Sequence, residues 1–313
     1  MDDHRPALRW RKQGLIFRPA DQTTWARGYA SVPTPVQIEG SLYRVYFAAR
    51  DERQRSHVGY FDIDLDRPDR IESVSPAPVL RPGALGRFDD HGIYASSAVW
   101  HGSELFLYTI GWNPGVRSPL FYSSIGLAVS RDGGCTFERA SAPIMARSEH
   151  DPCLVTAPTV LKEGDRWRMW YVSGLEWVEG STGLHSRYHV KYATSNDGIT
   201  WHRDGTVCLD FAAPEETNIA RTWVMRAGSA YRAWYAYDRG KGYRIGYATS
   251  SDGLTWCRAD DRTGIDLSPE GWDSEAQAYP AVLLHGGRAF MFYNGNAFGR
   301  DGVGLAVADD GPA

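Results

Sequence analysis

A short motif, Ser-x-Asp-Gly followed by an aromatic residue, recurs along the chain at intervals close to sixty residues. Its three clear copies are Ser130–Gly133, Ser195–Gly198 and Ser250–Gly253, and each ends a run with strand character. Two weaker copies of that run, VGYFDIDLD and VGLAVADDG, lie nearer the two ends of the chain. A period of this length is too long for a helical repeat and is typical of a four-stranded propeller blade.

The residues before each motif repeat as well, as a first strand, a glycine turn and a second strand. Five valines mark the first strands at intervals of 63, 61, 64 and 58 residues, and each is followed by a turn glycine. The pairs are Val36 and Gly40, Val99 and Gly102, Val160 and Gly164, Val224 and Gly228, and Val282 and Gly286. This register predicts an all-β fold, a five-bladed β-propeller with four-stranded antiparallel blades.

The chain length leaves room for this single domain, 1–313, and little else. The predicted blades span 28–75, 88–140, 150–205, 215–262 and 272–310. The fifth repeat ends after its third strand, at Asp309, Asp310 and Gly311. We predict that the segment 8–17 supplies the missing outer strand, because a propeller closed by its N-terminal strand has no open sheet edge.

Composition excludes several classes of function. A net charge of −4 gives no reason to expect a nucleic-acid partner. The charged N-terminus lacks an apolar signal region and no stretch approaches 18 apolar residues, so we expect a cytoplasmic protein without a membrane partner. The four cysteines have no CxxC spacing and are predicted to be free thiols in a reducing compartment.

The strand order predicts which end of the propeller carries function. In antiparallel blades, the glycine turns and the Ser-x-Asp-Gly turns lie at one end, which we call the turn end. The motif turns have a structural explanation, since Gly adopts positive φ and Asp bonds the local backbone. The opposite end, the funnel end, holds the starts of the inner strands and the longer connections, and function is expected there.

Polar and aromatic side chains from all five blades converge on the funnel end, and this mixture suits a sugar. The predicted substrate-binding residues are Arg50, Tyr94, Trp112, Asn113, Asp151, Glu176, Trp177, Asn218, Arg239, Gln277, Tyr279 and Asn294. Asp90, His91 and Glu275 are the candidates for proton transfer, and Arg221 for stabilising phosphate or developing charge. We expect Glu275 to be buried at the funnel mouth.

Structural explanations compete with these roles. Trp112 could fill an interface between blades, Asp90 could cap a turn, and His91 could be a satisfied loop histidine. A divalent metal (Mg, Mn or Ca) is possible if His91, Asp151 and Glu275 meet across the funnel, but no spacing in the sequence requires it.

At the level of architecture the whole chain resembles the five-bladed propeller glycosidases of glycoside hydrolase families 43, 32 and 68. That resemblance implies three carboxylates on the inner strands of the first three blades, with two of them serving as acid and as base or nucleophile. The matching stretches here are Ser31–Pro35, Ser96–Ala98 and Val155–Pro158, and none contains an acid. The glycosidase triad therefore cannot be carried over.

Several arginines near the funnel, including Arg50, Arg221 and Arg239, could bind phosphate bidentately. In this respect the chain resembles a flavin-free type of nucleotide-sugar pyranose–furanose mutase. The resemblance implies a sugar-nucleotide isomerase, and no flavin is expected because no GxGxxG fingerprint is present. The alternatives are a glycoside hydrolase or transglycosidase with relocated carboxylates, and a non-catalytic sugar-binding propeller. The expected partner in each case is a small-molecule sugar or sugar nucleotide.

Overall fold

The computed structural model describes residues 8–180 and 183–309, and nearly all regular structure in these ranges is β-strand. A four-residue helix (Pro19–Gln22), a 3-10 turn (Asp260–Arg262) and a short loop with left-handed residues (Asn296–Gly299) interrupt the strands. The strands are β1 (Arg11–Phe17), β2 (Gly28–Glu39), β3 (Leu42–Arg50), β4 (Ser56–Asp64), β5 (Ile71–Val74), β6 (Gly92–His101), β7 (Glu104–Pro114), β8 (Phe121–Ser130), β9 (Glu138–Arg139), β10 (Leu154–Glu163), β11 (Arg166–Gly180), β12 (Gly183–Ser195), β13 (Val207–Leu209), β14 (Asn218–Ala227), β15 (Ala230–Asp238), β16 (Arg244–Ser250), β17 (Cys257–Arg258), β18 (Ala278–His285), β19 (Arg288–Asn294) and β20 (Val303–Ala308).

The described strands form two eight-stranded sheets and one four-stranded sheet. Each eight-stranded sheet consists of two antiparallel groups of four strands joined by a single parallel bridge. We number these groups as units: unit 1 contains β2–β5, unit 2 β6–β9, unit 3 β10–β13, unit 4 β14–β17, and unit 5, the four-stranded sheet, β18–β20 with β1. The innermost strands β2, β6, β10, β14 and β18 contact one another in this order, and β18 also contacts β2, so the units form a ring. The all-β propeller architecture predicted from the repeat is confirmed.

The N-terminal strand closes the ring as predicted. Strand β1 pairs antiparallel with β20 and completes unit 5. Phe17, at the end of β1, is fully buried and stacks on Phe61 of unit 1 with ring centroids 4.5 Å apart. Lys12 donates from Nζ to the buried carboxylate of Asp273 (2.7 Å). One strand therefore joins the last unit to the first. The predicted end at Asp310 and Gly311 lies outside the described residues.

The Ser-x-Asp-Gly turns fasten neighbouring units to each other. In unit 3, Ser195 donates to Asp197 (2.8 Å), and Asp197 Oδ1 accepts the backbone N–H groups of Ile199 and Thr200 (both 2.7 Å). Burial opposes ionisation, but these hydrogen bonds outweigh it and hold the pKa of Asp197 at about 2. Each turn also accepts a hydrogen bond from the preceding unit: Tyr46 to Gly134 (2.8 Å), Tyr108 to Gly198 (2.9 Å) and Trp170 to Gly253 (2.7 Å).

Every inner strand has an irregular register at the same depth, where extra residues form a bulge. A bulge re-aims the side chains beside it and is common next to binding sites. Three of the bulges contain a non-glycine residue with positive φ directly before a proline: Val32 (57°), Ala157 (45°) and Tyr279 (53°). The bulges of units 2 and 4 are at Ser96 and Arg221.

Two further sequence predictions can be compared with the fold. Cys135, Cys153, Cys208 and Cys257 are all free thiols, as predicted. None of the helices in the described ranges has the length and apolar character needed to span a bilayer.

Candidate functional site

The base of the funnel is closed by one arginine. Arg221 projects from the bulge of β14, is fully buried, and donates to Pro33 O (2.6 Å), Ser96 O (2.9 Å) and Thr34 Oγ1 (3.1 Å). It thereby bonds the bulges of units 1 and 2 from unit 4, across the propeller axis. Among the described residues no carboxylate forms a salt bridge with it, and its Nε has no hydrogen-bond partner.

The charge of Arg221 is therefore poorly compensated. Burial lowers its pKa to about 9, so the guanidinium is still protonated at neutral pH. An unpaired buried charge is costly, because the lost hydration is replaced only by dipoles. The base of the funnel is consequently a positive region held in place by backbone carbonyls.

Four tyrosines group near this base. Tyr188 shares one apolar cluster with Tyr279 and Tyr243, and a second cluster with Tyr94. Its hydroxyl is hydrogen-bonded to that of Tyr243. Burial raises the pKa of Tyr188 to about 12, and it also raises the pKa values of Tyr243 and Tyr279. All three phenols are neutral near pH 7. One proton of the Tyr188–Tyr243 pair is used between the two hydroxyls, whereas the rings still offer apolar surface.

Arg50 adds a second positive charge to the funnel. It ends β3, is half-buried, and lies over the ring of Tyr29 with its guanidinium carbon 4.4 Å from the centroid. Burial raises the pKa of Tyr279, and the nearby Arg50 and Arg221 charges oppose that rise. The hydrogen-bond partner of the Arg50 guanidinium within the described ranges is Gln54, at 3.5 Å. Most of the Arg50 donors are therefore available to a ligand.

A cleft of about 330 Å³ opens beside the funnel between units 4 and 5. Asp238, Lys241, Tyr243, Glu275 and Phe298 line it, and Tyr243 is shared with the funnel wall. Asp238 accepts the backbone N–H of Lys241 (3.1 Å), while Glu275 is exposed. Phe298 is 50% exposed, and its ring centroid is 6.0 Å from that of Tyr243.

The structure corrects one expectation for the predicted catalytic residues. Glu275 is exposed, so the expectation that it is buried is wrong. The role of Arg221 in stabilising phosphate or developing charge stays a prediction. Its guanidinium is fully buried and bonded to backbone carbonyls.

Asp90 and His91 have structural partners in the loop before β6. Asp90 accepts the backbone N–H of Gly86 (2.8 Å) and the amide of Asn113 (2.5 Å). The His91 ring packs edge-on against Trp112, with centroids 4.5 Å apart. Their catalytic roles stay predictions, and the structural explanations given above account for their contacts.

Three amides predicted to bind sugar are engaged in the fold instead. Each is buried and donates its side-chain NH₂ to a backbone carbonyl. The acceptors are Ala30 for Asn294 (2.8 Å), Asp266 for Gln277 (2.9 Å) and Ser186 for Asn218 (3.0 Å). The prediction that these amides face a sugar is therefore wrong in this arrangement.

The other predicted substrate-binding residues that lie outside the funnel wall also have partners within the protein. Asp151 is fully buried and 2.8 Å from Arg203. Trp112 donates to Ser56 Oγ (2.9 Å), which supports the alternative that it fills an interface between units. The remaining pairs are Glu176 with Arg187 (2.8 Å), Trp177 with the Phe121 ring (5.5 Å), and Arg239 with Asp260 (3.8 Å).

The grouping of His91, Asp151 and Glu275 that would allow a metal site is not observed among the described residues. Within residues 8–180 and 183–309, no three His, Cys, Asp or Glu side chains are placed to hold a metal ion. Asp151 is instead neutralised by Arg203.

Arg50, Tyr94 and Tyr279 are the predicted binding residues that the structure does place at the funnel. Sequence reasoning missed Tyr188 and Tyr243, which lie in or just before the third strands of units 3 and 4. The signal was available, because antiparallel order puts the start of each third strand at the funnel end. Phe298 and Lys241 lie in connections whose course the repeat does not specify.

Comparison with solved structures places this architecture in a known class. A glycoside hydrolase superimposes with a TM-score of 0.74 at 18% identity, covering 97% of this chain and 92% of that one. A thermostable family-43 glycoside hydrolase gives a TM-score of 0.64 at 14% identity, with 92% and 91% covered. A Bombyx mori GH32 β-fructofuranosidase superimposes with a TM-score of 0.66 at 15% identity, covering 95% of this chain and 62% of that one. At these identities the likeness shows the fold alone, which is shared with family 43 and 32 glycoside hydrolases.

Comparison with curated proteins gives the family. Uncharacterized protein Rv1502 of Mycobacterium tuberculosis (strain ATCC 25618 / H37Rv) is 41% identical over 304 residues, which cover 97% of this chain and all of that protein. The chain belongs to the same family as Rv1502. A more distant similarity, 26% over 145 residues, links 44% of this chain to 45% of a 1,2-β-oligomannan phosphorylase from Thermoanaerobacter sp. (strain X514). No protein-family model matches the chain.

Proposed function

We propose that this protein is a carbohydrate-active enzyme that acts at the anomeric centre of a phosphate-bearing sugar, in its most specific form a sugar-nucleotide pyranose–furanose mutase. One observation carries the proposal: the base of the funnel is positive where a propeller glycosidase is expected to be negative. The bulges of units 1, 2 and 3 hold Val32, Ser96 and Ala157 in place of acids, and the Arg221 guanidinium bonds the backbone of the first two.

Electrostatics favours an anionic ligand in such a funnel. A charge buried without a counterion produces a strong local potential, since little solvent screens it. Arg50, with most of its donors unengaged, can contact phosphate oxygens directly, while Arg221 contributes from beneath. A neutral glycoside would leave both charges uncompensated, whereas a phosphate or diphosphate would neutralise part of them.

The funnel also offers groups for the chemistry. As the bond from the anomeric carbon to the diphosphate breaks, its electron pair moves to the diphosphate oxygen, and Arg50 would stabilise that charge. A ring hydroxyl of the same sugar forms the new bond to the anomeric carbon. Return of the diphosphate with cleavage of the original ring bond gives the furanose, and the hydroxyl proton passes to the released ring oxygen. We assign Tyr279, which lies near the charges of Arg50 and Arg221, to hydrogen-bond these oxygens during the proton transfer.

A ligand screen followed by spectroscopy tests this proposal. Thermal shifts are measured with UDP-, GDP- and dTDP-hexoses, with hexose 1-phosphates and with neutral methyl glycosides, each with and without EDTA. The anomeric proton signal of any stabilising ligand is then followed over time by NMR in the presence of the protein. A shift confined to phosphate-bearing sugars, with a pyranose anomeric signal that converts to a furanose signal, is expected. Stabilisation by neutral glycosides alone would overturn the proposal, and binding without conversion would favour a sugar-binding propeller.

A second candidate is cleavage of a glycosidic bond by relocated carboxylates. Asp238 and Glu275 line the same cleft, and the partial similarity to an oligomannan phosphorylase adds inorganic phosphate as a possible acceptor. This candidate predicts release of nitrophenol from aryl glycosides, or phosphate-dependent cleavage of β-1,2-mannobiose. Either activity should be abolished by Asp238→Asn.

A further inference from the structure

The loop after β19 holds an aromatic side chain in solvent at the edge of the cleft. Ala297 and Phe298 both adopt left-handed φ values, 50° and 60°, which side chains with a Cβ rarely tolerate. Two backbone hydrogen bonds fix the loop. The Ser31 hydroxyl donates to Phe298 O (2.5 Å), and Asn296 N donates to Trp272 O (2.7 Å). The phenyl ring is left 50% exposed.

The polar groups of the same cleft differ in charge from those of the funnel base. Asp238 and Glu275 line it, with Lys241 as the one cation among the described lining residues. Two carboxylates repel a phosphate, but they accept hydrogen bonds from hydroxyl groups well. An exposed aromatic ring beside such acceptors suits a ring with one apolar face and hydroxyls at its edge.

We propose that this cleft binds a neutral, polyhydroxylated ring, the second ring of the substrate, with its apolar face on Phe298 and its hydroxyls on Asp238 and Glu275. The inference rests on the proposed function, in which the funnel holds the phosphate and the reacting sugar. The separation of charge assigns the two parts: the positive funnel takes the anion, and the acidic cleft takes the neutral ring. The ribose of a nucleotide and the second sugar of an oligosaccharide both present this chemistry.

Calorimetric titrations of the full chain distinguish these sources. The probes are UMP and GMP for a ribose, β-1,2-mannobiose for a second sugar, and pyrophosphate for the funnel alone. We expect Phe298→Ala to lower the affinity for either the nucleotides or the disaccharide about tenfold, as is usual for the loss of one stacking partner. Phe298→Tyr should restore affinity. Leu85→Ala, at a side chain 98% exposed in another loop, is the matched control and should change nothing.

Each outcome decides the inference. If Phe298→Ala binds the nucleotides and the disaccharide as tightly as the wild type, the cleft assignment is wrong. Unchanged pyrophosphate affinity in that variant would leave the proposed function standing. Binding of β-1,2-mannobiose that depends on Phe298, with no binding of pyrophosphate or nucleotides, would support the cleft and overturn the phosphate proposal. A wild type that binds none of the probes would overturn both. If Phe298→Ala does not fold, Glu275→Gln should show the same selective loss.

Discussion

The turn end and the funnel end of this propeller are built from the same five units, yet only the turn end repeats the same contacts in successive units. At the turn end the same contacts recur: a Ser–Asp pair closes the turn, and an aromatic hydroxyl or indole of the preceding unit holds its glycine carbonyl. At the funnel end the bulges fall at the same depth, but the residues in them differ from unit to unit, from Ala157 to Arg221.

This difference separates scaffold from function. Residues repeat where every unit packs against its neighbour in the same way, and the turn end repeats for that reason. A ligand is not five-fold symmetric, so the surface that binds it must break the repeat. The cation of unit 4 and the tyrosines of units 2 to 5 break the repeat, and we propose them as part of that surface. Perturbations of the two ends should therefore have separable effects.

The largest effect should come from opening the ring, on which both ends depend. Deletion of residues 1–17 removes β1, exposes β20 and leaves a cavity at the position of Phe17. We expect loss of the cooperative melting transition measured by circular dichroism. Deletion of residues 1–7 leaves β1 in place and is the control. A truncated protein that melts like the full chain would contradict the closure.

Arg221→Met should affect both stability and ligand binding. It leaves Pro33 O and Ser96 O without their donor, at a cost of about 2–4 kcal/mol in the free energy of unfolding measured with urea. Pyrophosphate affinity should fall as well, because the buried charge is gone. Arg226→Met, at an exposed arginine of the same strand, is the control. Wild-type stability in Arg221→Met would show that the axial contacts contribute little.

Arg50→Gln should affect the funnel end alone. Loss of a charged hydrogen-bond donor should weaken pyrophosphate binding by about tenfold in calorimetry, while the free energy of unfolding changes by less than about 0.5 kcal/mol. Arg27→Gln, at an exposed arginine on the rim of unit 1, is the control. Equal losses in both variants would mean that the effect is one of general charge.

Asp197→Ala should affect the turn end alone. The carboxylate accepts the backbone N–H groups of Ile199 and Thr200, and its removal should cost about 1 kcal/mol of unfolding free energy. Pyrophosphate affinity should be unchanged. A loss of affinity comparable to that of Arg50→Gln would show that the two ends are coupled.

The smallest effect should be a dependence of stability on acid pH at the turn end. Hydrogen bonds outweigh burial and hold the pKa values of Asp132 and Asp197 at about 2, below the ordinary 3.8. A depressed folded-state pKa contributes stability that is present above pH 4 and lost as the pH falls toward 2. The melting temperature should fall through this window, and by less in Asp197→Ala. Equal falls in both proteins would assign the effect to other carboxylates.

The sequence predicted the scaffold well because the scaffold is what repeats. The valine and glycine register and the closing role of 8–17 correspond to observed strands and turns. The site was harder to predict, because the direction of a side chain near a bulge depends on partners distant in sequence. Asn294 and Gln277 lie at the expected end, yet both turn to backbone carbonyls. Arg221 was found as a residue of interest, but its contacts with units 1 and 2 could not be inferred from spacing.

We propose that the base of the funnel binds an anion. Calorimetric titration of the wild-type protein with mannose 1-phosphate and, separately, with methyl mannoside, each repeated on Arg50→Gln, tests this proposal. We expect the phosphate-bearing sugar to bind and the neutral sugar not to bind, with the affinity for mannose 1-phosphate reduced in Arg50→Gln. Equal binding of both sugars, unaffected by the substitution, would contradict it.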